Sequence, residues 1–185
     1  MRINRRWNQK KKPRTVEQMA NALAAAIWKL GAEVVLSLEN ENFETSTQIQ
    51  RLDVLEEFVI FLLHMADRRI YPQTTAEIRS RFISALARDL DRLLADSRFE
   101  FEGHVEDGKR FIDKVNRRTG EYSNYQYSAV DGASIALRCT LGEHIRAQMG
   151  ERDSKWVPDY IIEREAPAAE RSLKIALEGL VSFGD

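Results

Sequence analysis

The segment "LDVLEEFVIFLLHMADRRI", residues 52–70, sets the strongest constraint on how this chain folds. On a helical wheel of about 100° per residue, Val54, Leu55, Phe58, Val59, Phe61, Leu62, Leu63, Met65 and Ala66 spread over an arc of roughly 200°. An arc that wide is hard to satisfy at the periphery of a monomer, so this helix belongs at the centre of a core or in a subunit interface. Asp53, Glu56, Glu57, His64, Asp67 and Arg68 share the opposite arc with Ile60. They read as a solvated edge with local ion pairs, the ordinary outcome of i, i+3 and i, i+4 polar spacing.

The neighbours that could cover such a helix are legible on both sides of it. Thr15 and Gln18 stand at capping-box spacing ahead of Met19, Leu23, Ile27, Leu30 and Val34, which recur at steps of three and four. The central helix spans about Thr47 to Ile70, because Pro72 pushes Tyr71 out of the helical region. Thr74 and Glu77 form a second capping box before a stripe from Ile78 to Leu94 that runs to about Asp96. A further amphipathic helix covers about Ser128 to Met149, with Gly150 as terminator. A last one follows Pro167 with Leu173, Ala176, Leu177, Leu180 and Val181 on one face. Between them, "KWVPDYIIERE" reads as a helical turn or short helix that brings Trp156 and Ile161 onto the core.

Residues 98–127 admit two readings. "FEFEGHVEDGKRF" alternates apolar and polar residues around an Asp-Gly turn signal, as a short β-hairpin near residues 99–113 would. The same stretch supports a short helix over Lys109 to Arg118 ended by Gly120, with a tyrosine-rich loop after it, and this second reading is preferred. Two strands alone would be marginal. The fold class is therefore all-α, a multi-helix bundle or orthogonal helical array with room for one short hairpin.

Composition narrows the chemistry further. With 185 residues the chain is the size of one domain, and its single cysteine, Cys139, forms no internal disulfide, which suits a cytoplasmic protein. Phe58 to Met65 is too short to span a bilayer, and Lys29 and Glu33 interrupt the only stretch resembling a leader. Neither GxGxxG nor GxxxxGK[ST] occurs, so no nucleotide cofactor is called for by motif. The first fourteen residues hold seven Lys/Arg and no acid, leaving 21 basic against 29 acidic groups in residues 15–185. A basic arm, 1–14, thus precedes an acidic helical domain, 15–185.

Three functional readings follow. The leading one is a protein without a catalytic signature that acts by binding, through protein contact or self-association into a homo-oligomer. "NRRTGEYSNYQYS" places Arg117, Arg118, Tyr122, Tyr125 and Tyr127 in an exposed loop, and Arg and Tyr dominate interface hot spots. The second is a metal-binding helical bundle using His64 with Asp67, one turn apart, and carboxylates from another helix. The third is nucleic-acid binding by the arm, where Arg5, Arg6, Lys10, Lys11 and Lys12 would neutralise phosphates while Trp7 stacks on a base. Cys139 and His144 lie roughly 140° apart on one helix, which excludes a local thiol–imidazole dyad. His144 falls on the apolar side and reads as a hydrogen-bonded core histidine.

Overall fold

The computed structural model describes residues 14–103 and 109–183. Its elements in order are α1 (Val16–Asn40), α2 (Gln48–Ile70), a 3₁₀ turn (Tyr71–Gln73), α3 (Ala76–Glu102), α4 (Lys109–Tyr122), the strands β1 (Tyr127–Ser128) and β2 (Gly132–Ala133), then α5 (Ile135–Arg146). The short α6 (Val157–Tyr160) runs through a π-helical turn (Ile161–Glu165) into α7 (Ala166–Leu180). The protein is an all-α array with one small hairpin, as the periodicity of its apolar residues implies.

Caps explain most of the boundaries. At α1 the capping box is complete, with Thr15 Oγ1 accepting from Gln18 N and Gln18 Oε1 accepting from Thr15 N. Thr47 caps α2, and Thr75 rather than Thr74 caps α3, its hydroxyl accepting from Ile78 N. That helix also continues about two turns past Asp96, to Gly103, whose φ of 70° supplies the left-handed end. The preferred helix from Lys109 forms, as α4, and the alternative hairpin near residues 99–113 does not: Phe99–Glu102 close α3 and Lys109–Asp113 open α4, residues 104–108, with His104, lying outside the described residues.

The chain does make a hairpin, but at the later Asp-Gly pair, Asp131–Gly132. Tyr127 pairs with Ala133 and Ser128 with Gly132 in antiparallel register. Pairing of this segment is also why α5 begins at Ile135, capped by Ser134, instead of at Ser128.

Helix α2 is the axis of the molecule. It packs against α1, α3, α4, α5 and α7, and every residue from Val54 to Ala66 is buried. Helix α1 is long and apolar enough to cross a membrane by length and composition, but its face from Met19 to Leu38 is buried against α2, α3 and α7 as in a core helix. Trp156, expected on the core, points outward instead, because α6 starts one residue later and turns Val157 and Ile161 inward.

Candidate functional site

The polar edge of α2 is not wet. Glu56 and Glu57 are 0% exposed and His64 is 3% exposed, because α4 lies across the first two and Tyr122 at its end covers the third. What makes burial of two carboxylates tolerable is a basic row on α4, Arg110, Lys114 and Arg118, spaced four residues apart beside the apolar Phe111 and Val115. Arg118 grips Glu57 with both arms, Nη2 to Oε1 at 2.9 Å and Nε to Oε2 at 3.0 Å. Lys114 Nζ bridges the two acids, 3.0 Å from Glu56 Oε2 and 3.1 Å from Glu57 Oε1. Glu56 Oε2 also accepts from Arg110 at 3.3 Å and from the buried Arg98 of α3 at 3.1 Å, which reaches on to Asp53 at 2.6 Å. Burial alone would raise the Glu57 carboxyl, but the Arg118 hydrogen bonds and the Lys114 charge outweigh it and hold it below the usual range.

Tyr122 joins this row to both described histidines. Its ring lies 5.5 Å from His64 and 5.7 Å from His144, centre to centre. With His144 Nε2 on Glu121 at 3.0 Å, its Nδ1 is the acceptor for the Tyr122 hydroxyl at 3.1 Å and sits 3.9 Å from Glu57. Burial, reinforced by Arg118, keeps the His144 pKa below its ordinary value. His64 differs: neither ring nitrogen has a hydrogen-bond partner among the described residues. Burial first, then the Arg68 charge, bring its pKa down to about 4. Its expected companion Asp67 is occupied by Arg79, with Nε at 2.6 Å and Nη2 at 2.5 Å. Among the described residues no three metal-ligating side chains converge.

An open site lies at the other end of α2. Ser123 to Ser128, β2, Ser134, Ile135 and Arg138 of α5 and Arg68 of α2 surround a cleft of about 740 Å³. The Tyr127 ring at its wall has Arg68 and Arg69 each 6.0 Å from its centre, and its hydroxyl has no hydrogen-bond partner among the described residues. Sharing Asp131, Gly132 and Arg138 with the cleft is a smaller recess of about 260 Å³, closed by Arg69, Pro167, Glu170, Arg171 and Lys174. Its floor is the buried Glu170, whose Oε2 accepts from Ala133 N at 2.8 Å. Burial raises the Glu170 carboxyl above its ordinary value, against the pull of that N–H and of Arg138.

Gly132 is fixed twice over. Its φ is 81°, and a Cβ there would collide with Glu170 Oε2. Gly132→Ala is therefore expected to cost about 2 kcal/mol, from left-handed strain plus overpacking. Urea unfolding reads this as a lower midpoint with an unchanged slope.

Of the residues expected in an exposed Arg/Tyr loop, three lie at an accessible place: Arg117 is exposed, and Tyr125 and Tyr127 line the cleft. Arg118 and Tyr122 belong to the interior, because α4 extends to residue 122 and turns both toward α2. Of the arm, Arg5, Arg6, Trp7, Lys10, Lys11 and Lys12 lie outside the described residues. The sequence places Tyr127 in the Arg/Tyr loop but gives no sign that Arg68, on the polar arc of α2, and Arg138 join it at a cleft. Neither a protein-family model, nor a curated protein, nor a solved structure matches the chain.

Proposed function

We propose that the protein acts by binding, and that the cleft between the end of α2, the hairpin and the start of α5 is the seat of its ligand. One observation carries this reading: Tyr125 and Tyr127 stand beside Arg68 and Arg138 around the cleft, and neither arginine has a carboxylate partner among the described residues. Many other cations are spent on carboxylates, as Arg79, Arg81, Arg98, Arg118 and Arg164 are. A volume of this size suits a small molecule better than a flat protein partner, and mixed aromatic and polar walls are what such sites use for orientation. The reading retains binding as the activity and moves it from an exposed loop into a concavity.

The exposed Gln126 on the cleft wall offers a test. Gln126→Trp fills the opening without touching a buried group. Small polar and aromatic compounds that raise the melting temperature of the wild type are expected to lose that effect in the variant, while its melting temperature without compound stays within about 2 °C, as a surface change should. Equal stabilisation of both proteins would place binding elsewhere.

A further inference from the structure

The recess beneath the cleft has a charge pattern of its own. Arg69, Arg138, Arg171 and Lys174 converge on it from α2, α5 and α7, and none of the four has an ion-pair partner among the described residues. Their observed hydrogen bonds go to backbone carbonyls: Arg69 to Ala129 at 3.5 Å, Arg138 to Ala133 at 3.2 Å and to Ile162 at 3.3 Å. This occurs in a region, residues 15–185, where acidic groups outnumber basic ones by eight, so partners are not scarce. The buried Glu170, on which Arg138, Arg69 and Arg171 all act, offsets part of the cost of bringing four like charges together, and an anion would recover more of it.

We propose that the recess is a phosphoryl subsite, and that the ligand of the cleft is a phosphomonoester of a small molecule with a planar body. Charge and geometry select this class. Four cations face two carboxylates, Asp131 and Glu170, leaving a balance of +2 that a phosphate dianion neutralises. Glu170 is turned aside onto Ala133 N, and Asp131 Oδ2 accepts from Ser128 Oγ at 3.1 Å, so both acids are held by the hairpin. Three arginines match a group with three terminal acceptor oxygens, since each guanidinium fork engages oxygens in pairs, whereas a carboxylate satisfies one fork. The hairpin residues Asp131 and Gly132 and the α5 residue Arg138 line both spaces, so a phosphate in the recess leaves its ester oxygen facing Tyr125 and Tyr127. This inference rests on the cleft reading only for the body of the ligand.

The test titrates the full chain by calorimetry at low ionic strength with inorganic phosphate, phenyl phosphate and acetate. Phosphate is expected to bind at one site, acetate at least about tenfold more weakly, and phenyl phosphate more tightly than phosphate. Arg171→Ala with Lys174→Ala, two exposed positions on α7, is expected to weaken phosphate by about ten- to a hundredfold, the scale of lost charged hydrogen bonds. Lys29→Ala, which removes an exposed charge from α1, should leave binding unchanged. Gln126→Trp should abolish the phenyl advantage and spare phosphate. Absence of saturable phosphate binding, or equal weakening by Lys29→Ala, overturns the phosphoryl subsite even where uncharged compounds still respond to Gln126→Trp. Phosphate binding that fails in the α7 variant but shows no phenyl advantage overturns the cleft as the seat of the body and leaves the subsite standing.

Discussion

Glu57→Ala is expected to remove about 3–5 kcal/mol of stability, a large share of the roughly 5–15 kcal/mol that holds an ordinary domain together. The reason is what the substitution leaves behind. Arg118 and Lys114 are each 13% exposed, and without Glu57 the guanidinium fork of Arg118 faces a methyl group inside the protein. Removing the Glu57–Arg118 pair together should be milder: Glu57→Leu with Arg118→Leu eliminates charge and counter-charge, and leaves Lys114 on Glu56. Urea unfolding of Glu57→Leu, Arg118→Leu and the double variant forms a cycle whose coupling should exceed about 2 kcal/mol. A loss below about 1 kcal/mol for Glu57→Ala, the scale of an exposed pair, would contradict the buried network.

His64 should make the fold sensitive to mild acid. The unfolded imidazole titrates near 6.5 and the folded one near 4, so the unfolded state binds the extra proton between those values. Stability contributed by the neutral ring is fully present above pH 6.5 and is lost as pH falls toward 4, amounting to about 3 kcal/mol across that window at ~1.4 kcal/mol per unit. His144, also shifted downward by burial, adds to the same slope. Glu57 acts in a lower window: its folded pKa is depressed, so its contribution is present above the ordinary carboxylate value of 4.5 and fades below it. His64→Leu separates the two. The variant is expected to match or exceed the wild type at pH 7.5, because it removes two buried nitrogens without partners, and to lose much less stability between pH 6.5 and pH 4. Identical slopes for both proteins would mean that His64 is not the acid-sensitive group.

Both predictions concern residues on which the sequence misleads in an instructive way. The periodicity of α2 correctly separates an apolar arc from a polar one, and α2 does become the central helix. Whether the polar arc meets water depends on a helix more than forty residues away. The needed signal was present on α4, where Arg110, Lys114 and Arg118 form a basic row alongside an apolar row of Phe111 and Val115. A helix with both rows side by side can bury one only if acids wait opposite the other, and α2 carries the adjacent pair Glu56–Glu57. The candidate site was harder to see because its lining comes from α2, the hairpin, α5 and α7, each contributing only a few side chains. Arg68 and Arg69 look like an ordinary basic helix end until the hairpin turns Tyr127 between them. At the Asp131–Gly132 pair the hairpin is braced by Glu170, which accepts from Ala133 N.

The row of charges between α2 and α4 also acts as a ruler. Apolar surfaces of two helices can slide past one another with modest change in contact, since one leucine resembles the next. Here a slide of one turn, about 5.4 Å, would carry a guanidinium or ammonium away from Glu56–Glu57 to a stretch of α2 occupied by Ile60 and Phe61. The cost of stranding that cation discriminates the native alignment from its nearest competitors. The alignment also fixes where α4 ends, and with it the position at which the chain departs toward the hairpin. In that sense two buried glutamates near the middle of α2 set the position of a cleft at its far end.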